Sequence, residues 1–492
     1  MDRIRFVIDG EVRTVERFDP TRTVLEYLRE TEGRCGTKEG CAEGDCGACT
    51  VVLGEIDDRA GDGERVRYRA INSCIRFLPT IDGKELVTVE SLRAGDALHP
   101  VQQAMVDAHA SQCGFCTPGF VMSLFALYLN NPAPQREAVV ESLSGNLCRC
   151  TGYRPIIDAG GGMASLPSPA RWSREDAHSA ARLQALIGLR REQGLTLPGY
   201  CAPRSLDELQ AALALRPQAL LLAGGTDVGL WVTKLLRDLP EIIYLGEVAE
   251  LKRIENTAEG LRIGAAVALT DAWQALVAAH PPMAELAQRF ASPPVRNSAT
   301  LCGNLANGSP IGDAMPALIA LGASLELRRG SVTRRLALQD FYLGYQKKDL
   351  ATGELVAAVI VPAPVAGQRF ACYKLSKRNE QDISAVCVAI AVDVSDDGRI
   401  RDVRIACGGM AATPKRAPGA EAALRGQAWS EASFMSAIAA LDADFQPLSD
   451  MRASSAYRAR AAGNLLRRFF LEHGSSAPAA LRTQQAPAGV SA

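Results

Sequence analysis

The stretch GTKEGCAEGDCGACTVV, residues 36–52, decides how this chain is read. It holds Cys41, Cys46 and Cys49, and Cys74 follows in INSCI, giving C-x4-C-x2-C…C. That is the plant-type spacing for a [2Fe–2S] cluster. Two irons and two sulfides need four thiolates around a compact core, so three ligands from one loop demand a tightly wrapped backbone. Gly40, Gly44 and Gly47 are expected to supply the permissive φ angles, with neighbouring N–H groups turned towards the sulfurs. Zinc and ordinary burial are the rival readings. Zinc sites usually pair two C-x2-4-C knuckles, whereas here one knuckle lies among glycines, which favours the cluster. Cys35 falls outside the spacing and reads as a bystander.

A second cysteine group follows. QCGFCTPG, residues 112–119, gives Cys113 and Cys116, and CRCTGYRPI, residues 148–156, gives Cys148 and Cys150. C-x2-C with a distant C-x-C is not a usual zinc spacing. A C-x-C pair faces one centre only where the backbone leaves regular helix. Both pairs read as lying at helix termini, and helix N-termini after Cys116 and Cys150 are expected to favour thiolate over thiol. The spacing implies a metal site. On pattern alone zinc and iron–sulfur both stand open.

Working outward, residues 1–90 read as a small β-rich domain. IRFVIDGEVRTV gives two strands around the turn Asp9-Gly10. TRTVLEYLRET is a short helix with Thr21 or Thr23 as N-cap, and TVVLGEI and RYRAINSCI are strands. Residues 91–160 read as a helical bundle: HPVQQAMVDAHAS and GFVMSLFALYLNN have helical apolar spacing, with Pro100 and Pro118 near their starts. NPAPQREAVVESLSG is a third helix with its glycine as C-cap. Residues 161–197 are expected to be a linker, including a charged helical stretch to about 194. Segments 198–365 and 366–475 mix strands and helices, as in α+β domains, and 476–492 reads as a disordered tail.

The composition sets limits. At 492 residues the chain has room for about three domains. It carries 54 Lys plus Arg against 55 Asp plus Glu, which argues against nucleic acid or an anionic membrane as main partner. No apolar stretch approaches the ~20 residues of a membrane span. The start, MDRIRFVIDGEVRTVERFD, alternates like a strand and lacks the plan of a signal peptide, so a cytoplasmic location is expected. Nine of the 14 cysteines precede residue 151. In a reducing compartment such clustering points to metal binding. A secreted disulfide scaffold is the alternative, and the length and missing signal disfavour it.

Two glycine-bearing segments stand further on. LLAGGTDVGL, residues 221–230, is a short apolar strand breaking into a glycine loop, and SPPVRNSATLCGNLANGSPIGDAMPALIALGA spans 292–323. Loops of this kind can present N–H groups and hydroxyls to a pyrophosphate. Tight turns are the alternative for both. No G-x-G-x-x-G follows a strand, so a Rossmann fold is unsupported.

GTKEGCAEGDCGACT, QCGFCTPGF and GNLCRCTGYRPI together resemble the xanthine oxidase family of molybdenum hydroxylases, in that family's order. The resemblance implies a multidomain α+β architecture. Its parts are a plant-ferredoxin-like β-grasp domain, a helical [2Fe–2S] bundle, a vanillyl-alcohol-oxidase-like FAD domain and a C-terminal α+β domain. It makes the second group a [2Fe–2S] site, nearer the molybdenum, and implies that Gln112 faces a partner subunit's molybdenum cofactor. Carried over by position, Leu221, Leu222, Ala223, Gly224, Gly225, Thr226, Asp227 and Val228 form a first FAD pyrophosphate loop. Thr300, Gly303, Asn304 and Asp313 belong to a second, Phe290 lies near the isoalloxazine, and Lys374 contacts the flavin. The segment KLSKRNEQDISAV departs from the family: Arg378 and Asp382 remain, but Asn379 and Gln381 are neutral. That leaves the choice between NAD and oxygen as acceptor open.

The resemblance covers residues 1–160 and about 200–475. The chain ends where a single-chain member begins its molybdenum domain, so the expected arrangement is the two-subunit one. A molybdenum-bearing large subunit hydroxylates a purine, this chain passes the electrons to NAD, and a dimer of heterodimers forms. No catalytic acid or base is expected on this chain. The alternatives are a subunit acting with an aldehyde or N-heterocycle hydroxylase, or a free-standing iron–sulfur flavin reductase.

Overall fold

The computed structural model describes residues 3–57 and 64–474. The expected tail, 476–492, lies outside them. The chain folds into two compact units. One is Met1–Val248 together with Ala291–Ala299; the other is Ala249–Phe290 and the chain from Thr300 onward. The segment expected as the flavin domain, 198–365, therefore contributes to both.

In the first unit a five-stranded sheet places Glu11–Glu16, Arg3–Ile8, Glu85–Val87, Thr50–Asp57 and Arg65–Asn72 side by side in that order. The hairpin Arg3–Ile8/Glu11–Glu16 forms as the sequence predicts. Asp9 (φ 55°) and Gly10 (φ 82°) are both left-handed, the geometry a two-residue primed turn needs. Ile4, Phe6 and Ile8 alternate into the core. Thr23, one of the two expected caps, starts the helix Val24–Glu26 with a reciprocal capping box to Glu26. A second sheet orders Leu195–Leu197, Tyr200–Ala202, Ile242–Tyr244 and Leu220–Leu222.

The predicted helices are present as Pro100–Asp107, Thr117–Asn130 and Arg136–Ser142, followed by Arg154–Gly162. One expectation fails. The third helix closes at Leu143, not at Gly145. Gly145 is used for close approach instead: a Cβ there would lie 2.8 Å from the Cβ of Ser292.

Residues 171–191 form a strap bound to this unit. Trp172 is fully buried, and its indole N–H donates to the Ser91 carbonyl (3.1 Å). It meets Phe125 and Tyr68 edge-on, and Arg182 lies over its ring at 3.7 Å while bonding Glu85 (2.6 Å). Arg191 ties the end of the strap to Asp82.

The second unit has a five-stranded antiparallel sheet in the order Ile254–Thr257, Gly260–Gly264, Leu355–Val361, Ser324–Arg329, Val332–Ala337. Leu355–Val361 is buried at every residue, as expected of a central strand with both faces covered. A further antiparallel sheet is built on Arg369–Leu375, Val386–Val394 and Ile400–Gly408. It packs its apolar face on helices Glu431–Asp444 and Ser455–Glu472 through Phe434, Leu466 and Phe469.

Candidate cofactor-binding sites

Strand register assembles the first cysteine group. Thr50 pairs with Asn72 across antiparallel strands. Cys49, just before one strand, and Cys74, just after the other, therefore meet at the same end, with Sγ atoms 3.2 Å apart. The loop between Lys38 and Ala48 brings Cys41 and Cys46 to the same place, and the Cys46 N–H donates to Cys41 Sγ (3.3 Å). Gly44 (φ 84°) and Gly47 (φ 68°) take the left-handed conformation expected of them. Gly40 does not; a Cβ there would come within 2.8 Å of Cys46 Sγ, so its role is clearance. Ala42 is left-handed (φ 55°), which the sequence did not suggest. Hydrogen bonds from Cys46 and Cys74 hold the Cys41 thiol well below its usual range, and the same contacts push Cys46 and Cys74 up. Four thiols gathered this closely disfavour one another's ionisation, a repulsion that a cationic core would relieve. Cys35 is exposed and outside the group.

The second group forms at the mouth of the helical bundle. Cys116 interacts with Cys148, and Cys150 with Cys113. Cys148 Sγ accepts from Cys150 N (3.4 Å), Thr151 N (3.4 Å) and Thr151 Oγ1 (3.3 Å). Burial works against ionisation of Cys148, but these donors outweigh it and bring the thiol to about 7. The expectation of a thiolate at Cys116 fails. It precedes the helix Thr117–Asn130, yet burial first, then Cys148, pushes its thiol up to about 12. Cys150 also rises, against expectation, because Cys113 hydrogen-bonds it. The next helix begins only at Arg154, too far to act on Cys150. Gln112 and Phe115 are exposed beside Cys113. Among the described residues no three His, Cys, Asp or Glu side chains are arranged to hold a single metal ion. The cysteines stand in pairs, which suits a two-iron core with one pair per iron.

The two groups are joined through glycine. A Cβ on Gly119 would lie 2.1 Å from the Gly47 carbonyl oxygen, and a Cβ on Gly47 would lie 2.2 Å from that of Gly145. Asn146 is buried at this junction. Its Nδ2 donates to the Gly47 carbonyl (3.1 Å), and its Oδ1 accepts from Ser123 Oγ (2.6 Å).

The first glycine loop, Ala223–Asp227, links strand Leu220–Leu222 to helix Val228–Thr233 in the first unit. Gly225 is left-handed (φ 76°), and a Cβ on Gly224 would lie 2.5 Å from the Ser298 carbonyl oxygen. Only glycine fits this approach.

In the second unit Thr300 caps helix Leu301–Asn307, its hydroxyl accepting from Gly303 N (3.0 Å). Asn304 Oδ1 is buried with no hydrogen-bond partner among the described residues. A buried acceptor left open is costly unless a donor reaches it, and a ligand hydroxyl or N–H would. Phe290 is buried against Trp273, with ring centroids 5.3 Å apart. Lys374 and Asp313 form a buried ion pair (2.7 Å), and Asp313 also accepts from Ser384 Oγ (2.6 Å). Arg378 N donates to Asp382 (2.8 Å) within KLSKRNEQDISAV.

Sequence reasoning missed three residues. Ser384 completes the Asp313 pair. Arg289, beside Phe290, gathers the chain after the lysine by donating to Lys374 O (2.8 Å), Asn379 O (3.2 Å) and Ser376 Oγ (3.1 Å). Lys234 donates to the Cys41 carbonyl (2.9 Å). Their acceptors lie far off in sequence, and two of the three residues use backbone carbonyls, which no motif records.

Four family profiles match the chain. Residues 6–77 match a 2Fe-2S iron-sulfur cluster binding domain and 88–160 a [2Fe-2S] binding domain. Residues 193–364 match the FAD binding domain in molybdopterin dehydrogenase, and 371–473 the CO dehydrogenase flavoprotein C-terminal domain. The xanthine dehydrogenase of Emericella nidulans is 32% identical over 501 aligned positions, covering 90% of this chain and 36% of that protein. That of Oryza sativa subsp. japonica is 32% identical, covering 83% of this chain and 35% of that protein. The chain spans about a third of the length of the curated relatives it matches. Among solved structures, a carbon monoxide dehydrogenase chain from Hydrogenophaga pseudoflava is 32% identical, with TM-score 0.51. The match covers 55% of this chain and 94% of that one. A chain of quinoline 2-oxidoreductase from Pseudomonas putida 86 is 26% identical with TM-score 0.50, at the same coverage.

Proposed function

The chain belongs to the molybdenum hydroxylase family and carries its two [2Fe–2S] domains and its FAD-binding domain, and from that premise we propose that it is the iron–sulfur/FAD subunit of a xanthine dehydrogenase. In this reading it relays the electrons released when a partner's molybdenum centre hydroxylates hypoxanthine or xanthine, and delivers them to NAD in the cytoplasm. One observation carries the reading: the xanthine dehydrogenase alignment runs through both cluster domains and the flavin domain, over 90% of this chain. The bound groups would supply one-electron carriage and, at the flavin, its conversion to two-electron hydride transfer.

The chain's own residues bind and orient. Cys41 with Cys46, and Cys49 with Cys74, would each grip one iron of the first cluster. Cys116 with Cys148, and Cys113 with Cys150, would do so for the second. Within the first unit Gly224 and Gly225 would clear the backbone for a pyrophosphate; within the second, Asn304 would offer an open acceptor to a hydroxyl, and Lys374, held by Asp313, would contact the flavin. Phe290, buried against Trp273, would lie near the isoalloxazine. Gln112 and Phe115, exposed beside Cys113, are assigned to the contact with the molybdenum subunit in a dimer of heterodimers.

The likeness to carbon monoxide dehydrogenase and quinoline 2-oxidoreductase supports a second reading, in which the partner oxidises another substrate. The test is to purify the chain with its molybdenum-bearing partner and follow NAD reduction with xanthine. Xanthine-dependent turnover supports the first reading. A complex that holds iron and FAD but responds only to an aldehyde or N-heterocycle supports the second.

A further inference from the structure

Helix Val228–Thr233, which leaves the first glycine loop, ends directly on the backbone of the first cysteine group, within the same compact unit. Thr233 Oγ1 donates to the Ala42 carbonyl (2.7 Å), and Lys234 Nζ donates to the Cys41 carbonyl (2.9 Å). Leu230 packs against the buried cluster formed by Leu25, Cys49, Cys74 and Ile75. Gly229 lies so close that a Cβ would come 2.6 Å from the Ile75 carbonyl oxygen. The helix and its closing residue Lys234 therefore reach the Cys41 carbonyl and the buried cluster that contains Cys49 and Cys74. The Lys234 ammonium rests on the carbonyl of Cys41 and pairs with Glu43, 3.7 Å away.

Resting on the reading that Cys41, Cys46, Cys49 and Cys74 hold a [2Fe–2S] cluster, we propose that Lys234 is a tuning residue that raises the reduction potential of this cluster. A carbonyl oxygen next to a ligand cysteine presents negative potential to the core. An ammonium hydrogen-bonded to it neutralises that potential and favours the reduced, more negative state of the cluster. Glu43 acts in the opposite sense by partly cancelling the ammonium. Local net charge and hydrogen bonding are established levers on such potentials. The effect is moderate because the Lys234 side chain is 42% exposed, where solvent screens it.

The experiment is an EPR-monitored redox titration of the full chain as purified, with both clusters loaded. The signal perturbed by Cys49→Ser identifies the first cluster, and the second serves as internal reference. Lys234→Met should favour electron loss from the first cluster by up to about tenfold, which for a one-electron couple is about 59 mV downward. Lys234→Arg should stay near the parent value, Glu43→Gln should move it upward, and the second cluster should not shift. An unmoved first-cluster potential in Lys234→Met overturns the inference. So does a shift of both clusters together without the opposite response in Glu43→Gln. A parent chain lacking the first-cluster signal would instead remove the cluster reading on which the inference rests, and the inference with it.

Discussion

The backbone N–H of Leu147 donates to the carbonyl of Cys46 at 2.9 Å. Leu147 immediately precedes Cys148, so one hydrogen bond and one residue separate a cysteine of the first group from a cysteine of the second. Asn146 holds the same crossing from its other side through Gly47. The two groups are thus fixed to each other by backbone atoms, which do not change rotamer.

This crossing has no room for a side chain. Gly119→Ala would place a methyl group 2.1 Å from the Gly47 carbonyl oxygen, and rigid backbone must yield. Forced overpacking costs about 1–3 kcal/mol. The expected outcome is a lower unfolding temperature and weaker magnetic coupling between the clusters in EPR of the reduced chain. Unchanged coupling and stability would show that the crossing is looser than described.

The Lys374–Asp313 pair is buried on both sides. Asp313→Ala would leave the ammonium without its anion, a loss of about 3–5 kcal/mol, and lower the FAD content measured by absorbance. Combining it with Lys374→Met removes the stranded charge. That double variant should recover most of the stability but not the flavin. Recovery of both would mean that the pair serves folding alone.

His99 links pH to stability. Its Nδ1 accepts from the Val101 N–H (3.3 Å), and its Nε2 donates to the Trp172 carbonyl (3.2 Å), so the neutral ring satisfies both partners. Burial, aided by Arg174 and opposed by the Trp172 carbonyl, lowers its pKa to about 4. Between the ordinary value of about 6.5 and about 4, the unfolded chain takes up the proton and the folded one does not. Stability therefore falls as pH drops through that window, by roughly 3 kcal/mol for this group. Denaturant titrations from pH 7 to 4 should show a shallower decline in His99→Gln than in the parent; parallel curves would assign the acid sensitivity elsewhere.

The strap depends on one ring. Trp172→Ala removes a fully buried indole that meets Phe125, Tyr68 and Arg182, and should cost about 3–5 kcal/mol. Limited proteolysis should then cut between residues 165 and 195 in the variant and spare the parent. Equal resistance would mean that Arg182 and Arg191 suffice to hold the segment.

What was legible in the sequence is what acts locally. Cysteine spacing, the Asp9-Gly10 turn and the Thr23 cap each act within a few residues, and each is present as expected. Errors arose where a distant neighbour decides the outcome. Cys116 sits at a helix start, yet burial governs its thiol, and burial is not written in the heptapeptide around it. Gly145 and Gly40 are needed for what approaches them rather than for their own φ angles. The stretch around Trp172 reads as a charged connector because its binding partners, Ser91, Glu85 and Asp82, lie about 80 to 110 residues earlier. Arg289 was invisible for the same reason, since the carbonyls it gathers lie 85 or more residues later.

Residues 291–299 belong to the first unit although the chain on either side of them belongs to the second. Arg296 reaches Glu141 (3.0 Å), and the Asn297 amide donates to the Ala70 carbonyl (2.9 Å). During synthesis the N-terminal unit therefore cannot be finished when the ribosome passes residue 248. It must wait about fifty residues more, some seconds at ordinary elongation rates of roughly 5–20 residues per second. The same threading sets a rule for dissection. A gene fragment cut after the last cluster cysteine, or after 248, removes a piece of the iron–sulfur unit's own packing. The first unit is thus completed by chain made after residue 248, so its folding order does not follow the order of its sequence.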